Sequence, residues 1–201
     1  MNKRVLISVL IAVLAVVFVV SCNKSNKKDS PPHTSNYKES ALKYFPLALG
    51  NKWKYTVNYF GSSGEMEVVI TGTDGEWFLD NKGGKIMADK RGIRDSDRYM
   101  LMFPLQREEW VAIVDTKTRE IRKTVGVDET VKVPAGVFEG AIKVHTFVEL
   151  PGSKVLHSFH YFVAGVGIVK IETFLEDLKE DKLIPQTVTE LIGYEINNVK
   201  S

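Results

Sequence analysis

The sequence predicts an all-β protein: a strongly curved antiparallel meander or open half-barrel, with at most one or two short helical turns. Three observations predict it. From Trp53 onward apolar and polar residues alternate with period two, as in Trp53-Lys54-Tyr55-Thr56-Val57-Asn58-Tyr59, the pattern of a half-buried strand. Gly, Pro and Asp-Gly punctuate the chain at roughly 8–12-residue intervals, marking about ten short strands. A sheet of that many strands curls or closes to manage its edges.

The first residues are not part of that fold. Lys3 and Arg4 precede an apolar run from Val5 to Val20, broken only by Ser8. Ser21 then supplies a small residue before the single cysteine, Cys22. Charged start, apolar middle and small residue at the cut are the order of a secretory signal, so residues 1–21 read as a signal peptide. The cysteine in that place resembles the lipobox of bacterial lipoproteins, with cleavage between Ser21 and Cys22 and lipidation of Cys22. A plain membrane anchor would need about 20 apolar residues, more than this run supplies. With Cys22 acylated no thiol remains for a disulfide, a metal site or a nucleophile. Residues 22–36 are Asn, Lys, Ser, Asp, Pro, His and Thr after the cysteine, a disordered tether reaching about 20 Å as a loose coil.

Residues 37–201 form the single antiparallel β domain. Lys38 to Phe45 reads as one or two helical turns stopped by Pro46. Trp53–Tyr59 and Glu65–Thr71 flank the turn Gly61-Ser62-Ser63-Gly64 and read as a hairpin. Short strands follow at 77–79, 85–89 and 98–103. Trp110 to Asp115 is apolar on both faces and reads as a central strand. Segments 118–125 and 129–133 read as two strands, the second ending at Pro134-Ala135-Gly136. Strands at 142–150, 155–163 and 166–174 come next. Leu175 to Leu183 is charge-rich and reads as a long turn or a short helix, and Thr187–Ile196 is the last strand. Phe45-Pro46-Leu47 before Trp53 is echoed by Phe103-Pro104-Leu105 before Trp110, a possible mark of two half-sheets.

Charge excludes one class of function. The chain has 27 basic and 25 acidic residues, and without Lys3 and Arg4 the two counts are equal. A neutral mature protein argues against a nucleic-acid partner. Chemistry is also scarce. His157 and His160 are three apart, which on a strand points them to opposite faces, so a shared metal is not expected. The expected state is one solvated and one packed histidine, with His145 on a polar strand face. No Gly-x-Ser-x-Gly elbow occurs. Acid pairs such as Asp95 with Asp97, Glu108 with Glu109 and Glu176 with Asp177 fall in turns or at strand ends. A hydrolase using such surface carboxylates is the remote alternative. Gly165-Val166-Gly167 lacks a third glycine and reads as a bend or bulge, not a nucleotide loop. No catalytic residue, metal or cofactor is expected.

The aromatic residues are the remaining resource. Trp53, Tyr55, Tyr59, Trp77, Tyr99, Phe103, Trp110, Phe159 and Tyr161 fall mostly on the apolar sides of strands and make the candidate apolar face. In a bent sheet such a face either fills its own core or leaves a cavity for a lipid or a peptide.

Three segments carry a resemblance. They are Tyr44-Phe45-Pro46-Leu47 through Gly50-Asn51-Lys52-Trp53, then Val131-Lys132-Val133-Pro134-Ala135-Gly136-Val137-Phe138, then Tyr161-Phe162-Val163-Ala164-Gly165-Val166-Gly167-Ile168-Val169-Lys170. Together they resemble the TapB-like bacterial lipoproteins over residues 44 to 196, departing from that pattern at Ala164, where the family usually has Pro. The resemblance implies a curved antiparallel sheet similar to the carriers LolA and LolB, and no catalytic residues. The expectation is a non-catalytic envelope lipoprotein, joined to a membrane through its lipid. Its curved sheet would bind an apolar ligand or an envelope protein; a structural assembly factor with a filled core is the alternative. Asn23 after the lipidated cysteine favours the outer membrane if the host is Gram-negative.

Overall fold

The structure, a computed structural model, describes residues 37–105, 109–113 and 118–197. The signal peptide, Cys22 and the tether expected at 1–36 lie outside the described residues, as does Glu108.

The first described element is α1 (Lys38–Tyr44), which buries Ala41 completely. It ends before Pro46 as expected: the residue preceding a proline is driven out of the helical region, and Phe45 sits at φ −149, ψ 88. Among the described residues twelve strands follow. The first six are β1 (Lys52–Tyr59), β2 (Ser62–Asp74), β3 (Trp77–Asp80), β4 (Lys85–Asp89), β5 (Gly92–Arg94) and β6 (Tyr99–Met102). The second six are β7 (Trp110–Ile113), β8 (Arg119–Val133), β9 (Gly136–Leu150), β10 (Lys154–Val163), β11 (Gly167–Asp177) and β12 (Lys182–Glu195).

All twelve join one antiparallel sheet in the order β6-β5-β4-β3-β2-β1-β12-β11-β10-β9-β8-β7. The chain therefore makes two six-stranded meanders, paired side by side through β1 and β12. Each meander is preceded by one copy of the Phe-Pro-Leu…Trp echo.

The link between the meanders forces curvature. β6 and β7 are the two edges of the sheet. Yet Met102 and Trp110 are eight residues apart, which spans at most about 29 Å. A flat sheet of this size would be about 53 Å wide. The sheet curls until its edges face each other, giving a nearly closed barrel. Side chains bridge the seam: Trp110 Nε1 donates to Tyr99 O at 2.9 Å, and Arg98 Nη1 to Glu120 Oε2 at 2.6 Å.

Several elements differ from the sequence reading. β7 lies at an edge rather than in the centre. Its outward residues Val111 and Ile113 are exposed, so being apolar on both faces does not mean being covered on both. Segments 118–125 and 129–133 are one long strand, β8, carrying three register shifts. The charge-rich stretch after Leu175 is mostly strand: β11 runs to Asp177 and β12 begins at Lys182, leaving a four-residue turn. β5 has three residues, too short to show a period.

One end of the barrel interior is filled. Trp53, Ile142, Val144, Phe162, Val169 and Leu191 are at most 1% exposed there. Phe45 stacks on Trp53 at 5.3 Å, and Trp53 Nε1 donates to Val166 O at 2.6 Å. Gly167 makes that approach possible. Its φ is +109, and a Cβ there would come within 3.2 Å of Trp53 Nε1. The Gly-Val-Gly segment thus serves a close approach rather than a bend alone. The other two motifs are structural as well. Asn51 is fully buried, donating to Pro46 O (2.8 Å) and accepting from the Asn197 N–H (2.8 Å). The Pro134-Ala135-Gly136 tip of the β8–β9 hairpin reaches β12, where the Ala135 N–H donates to Leu191 O at 2.9 Å.

Candidate functional site

β9, β10 and β11 present two faces, and the ladder assigns residues to each. His145 pairs with Phe159, and Phe159 with Glu172, on the convex side. Thr146 pairs with Ser158, and Ser158 with Thr173, on the inner side.

The convex face carries a chain of polar contacts. His145 Nε2 and His157 Nδ1 are 2.9 Å apart, and His157 Nε2 lies 2.8 Å from Glu176 Oε2. His157 donates to the Glu176 carboxylate through Nε2 and, as a neutral imidazole, accepts from His145 through Nδ1. Burial pulls the His145 pKa below the ordinary 6.5, aided by His157, Lys143 and Lys123. His145 stacks on Phe159 at 4.5 Å, and Lys143 Nζ stands 4.7 Å from the Phe159 centroid and 5.2 Å from that of Tyr161. Tyr161 donates to Glu172 at 2.9 Å; burial and that bond raise its pKa. A shallow groove of about 500 Å³ opens here, with Lys143, His157, Phe174 and Leu183 among its walls. A carboxylate–imidazole–imidazole chain resembles a proton relay; the hydroxyls of Thr146 and Ser158 on the same strands project from the opposite face. Among the described residues no three His, Cys, Asp or Glu side chains are placed to hold a metal ion.

The inner face changes character along the strands. Beyond the filled end comes a row containing His160, which pairs with Val144 and Ile171. Next is a row of hydroxyls across four strands: Thr146, Ser158, Thr173 and Thr187. Then comes an apolar row, Val148, Leu156, Leu175 and Ile184, all half-buried. At the seam this face ends in a buried ionic cluster. Arg122 and Glu120 are 5% and 4% exposed and paired to each other, and Arg98 joins Glu120 to Asp95. His160 faces these charges. Its Nδ1 is unreached by solvent although the residue as a whole is half-buried. Burial, with Arg122 and Arg98 beside it, pushes its pKa down to about 3. Three buried polar atoms have no partner among the described residues: Thr124 Oγ1, Thr146 Oγ1 and His160 Nδ1.

The candidate aromatic residues do not share one surface. Trp53, Tyr55, Phe103 and Trp110 are buried, and Tyr59 is half-buried. Tyr55 donates to Ile168 O at 2.9 Å, and Phe103 stacks on Tyr37 at 5.7 Å. Trp77 and Tyr99 each lie 5.4 Å beneath the Arg94 guanidinium. Phe159 and Tyr161 stand on the convex face, because their ladder partners alternate away from the barrel interior. His157 and His160 point to opposite faces, as strand parity requires. Sequence reading missed the His145–His157 pairing and the Arg98–Glu120–Arg122 cluster. Both join residues across strands whose register no local pattern encodes. Two apolar–polar strands each offering a histidine were the only visible signal.

No family model matches the chain, and no curated protein matches it in sequence. The TapB-like assignment therefore has no family match behind it. Two solved structures are similar to the chain. One is a candidate exported protein with a YmcC-like fold from Bacteroides fragilis, at 14% identity; the other is a candidate lipoprotein from Parabacteroides distasonis, at 16%. Each alignment covers 76% of this chain and 98% of the other, with a TM-score of 0.45.

Proposed function

We propose that the chain is a non-catalytic lipoprotein of the cell envelope that holds an apolar ligand on the inner face of its curved sheet. Cys22 would carry the anchor, in the outer membrane if the host is Gram-negative. The supporting observation is the half-buried end of the inner face. An apolar row there lies beside hydroxyls and unpartnered buried polar atoms, where a sheet folded for stability alone would be filled.

Two measurements test this reading. Cys22→Ala should abolish incorporation of an alkyne fatty acid and release the chain from the membrane pellet; retained labelling would refute the anchor. Native mass spectrometry of the full chain should show a reproducible added mass that extracts as a lipid. A bare mass after fatty acids and phospholipids have been offered would sink the ligand reading.

A second reading, a protein partner, is favoured by β7. Val111 and Ile113 are 46% and 76% exposed on an edge strand. Cross-linking from position 113 in intact envelopes should capture one discrete partner if that surface is used.

A further inference from the structure

We propose that the half-buried end of the inner face seats a single-chain lipid with an uncharged, hydroxylated head. Thr146, Thr124 and His160 would hydrogen-bond the head, and Val148, Leu156, Leu175 and Ile184 would carry the chain. This inference rests on the ligand-binding reading above and names the ligand class of that same site.

The head is placed by the unpartnered atoms. Thr146 is 5% exposed, and its Oγ1 has no partner among the described residues. Thr124 Oγ1 and His160 Nδ1 share that condition on the two flanking strands. Thr124 pairs with Val144, and Val144 with His160, so these two atoms belong to one row; Thr146 stands in the next row, beside Val144 along β9. A buried hydroxyl or imidazole nitrogen without a partner is destabilising, and folded proteins retain few. Three on adjacent strands and the same face offer both donors and acceptors to one ligand head. A water molecule could satisfy one or two of them. The neighbouring surface asks for more than water. Val148, Leu156, Leu175 and Ile184 are directly paired across four strands, an apolar strip about 14 Å long. A molecule with a hydrogen-bonding head and one hydrocarbon chain covers both. A single strip one side chain wide suits one chain.

Charge selects the kind of head. Arg98 and Arg122 are balanced by Asp95 and Glu120 within the cluster. His160, beside the two guanidiniums, is held neutral at pH 7. A carboxylate or phosphate brought here would be a buried charge without a counter-ion, which is costly. A glycerol or simple alcohol head carries no such cost. The convex groove differs, since Lys143, Glu172 and Glu176 line it with charge.

The test uses the full chain in nanodiscs and a monoacylglycerol bearing a diazirine in its acyl chain, with residue-level mapping of the cross-links. Labelling is expected on Leu156, Leu175 and Ile184. Monoolein should compete for it about ten-fold better than oleate, which has the same tail and a charged head. Thr146→Val should reduce labelling about ten-fold, the loss of one buried hydrogen bond, while melting no earlier than the parent. That combination separates a binding role from a structural one. Equal competition by oleate, undiminished labelling of Thr146→Val, or labelling confined to the convex residues would overturn the head assignment and leave a less specific ligand site standing. No labelling with this probe or with diazirine fatty-acid and phospholipid probes would overturn both the inference and the ligand reading beneath it.

Discussion

His157 and His160 lie three residues apart in β10 and live in different media. His157 faces outward, bonded to His145 and Glu176 at the wall of an open groove. His160 faces inward, toward Arg122 and Arg98, with Nδ1 unpartnered. The side chains are the same and the backbone is continuous. Strand parity puts them on opposite faces, and the curl of the sheet makes one face an interior. The same division runs through every neighbour. Glu176 and Glu120 are both carboxylates paired with a cationic or imidazole nitrogen, yet the first is partly exposed and the second is buried beside two guanidiniums.

The sharpest way to break the comparison is to remove one carboxylate from each face. Glu120→Gln leaves Arg98 and Arg122 without their shared counter-ion and should cost about 3–5 kcal/mol in urea unfolding. Glu176→Gln should cost under about 1 kcal/mol. Similar losses would mean that the seam is wetter than its burial indicates. The aromatic residues give the next largest contrast. Phe162→Ala, fully buried, should cost about 3–4 kcal/mol, whereas Phe159→Ala on the groove wall should cost roughly half as much.

Acid sharpens the difference between the histidines. The folded pKa of His160 is about 3, below its ordinary 6.5, so the unfolded chain takes up the proton first. Its stabilising contribution is complete above pH 6.5 and is lost as pH falls toward 3, by about 1.4 kcal/mol per pH unit. His145, also lowered, adds in the same direction. Unfolding free energies at pH 7 and pH 5 should therefore fall by about 2 kcal/mol or more in the parent. His160→Gln should flatten most of that slope and His145→Gln only a smaller part of it. An unchanged slope in His160→Gln would place the titration elsewhere. The smallest effect carries the opposite sign. Thr146→Val removes a buried hydroxyl that has no partner and should stabilise the ligand-free chain by about 1 kcal/mol in calorimetry. A loss of stability would show that the hydroxyl is satisfied within the fold.

Much of the fold was legible in local pattern. The Trp53–Tyr59 alternation gives β1, Phe45-Pro46 ends α1, and Pro134-Ala135-Gly136 turns β8 into β9. The resemblance-bearing motifs turned out to hold the barrel together: Asn51 bridges toward Asn197, Gly167 admits Trp53, and Ala135 reaches Leu191. The candidate site was much less legible. Phe159 and Tyr161 fall into one sequence pattern with Trp53 and Tyr55, because alternation names two faces without saying which one is inside. Pairings such as His145 with His157, or Arg98 with Glu120, depend on register and on how far the sheet curls.

The sequence by itself determined an antiparallel β architecture, its short helix and most of its turns. Each of these follows from the preferences of a few adjacent residues. Tertiary structure alone decided that β7 is an edge and that β1 pairs with β12. It also decided that one end of the barrel is packed while the other sets hydroxyls beside a half-buried apolar strip. These outcomes depend on closing a twelve-stranded sheet through a short link, a constraint on the whole chain that no local window contains.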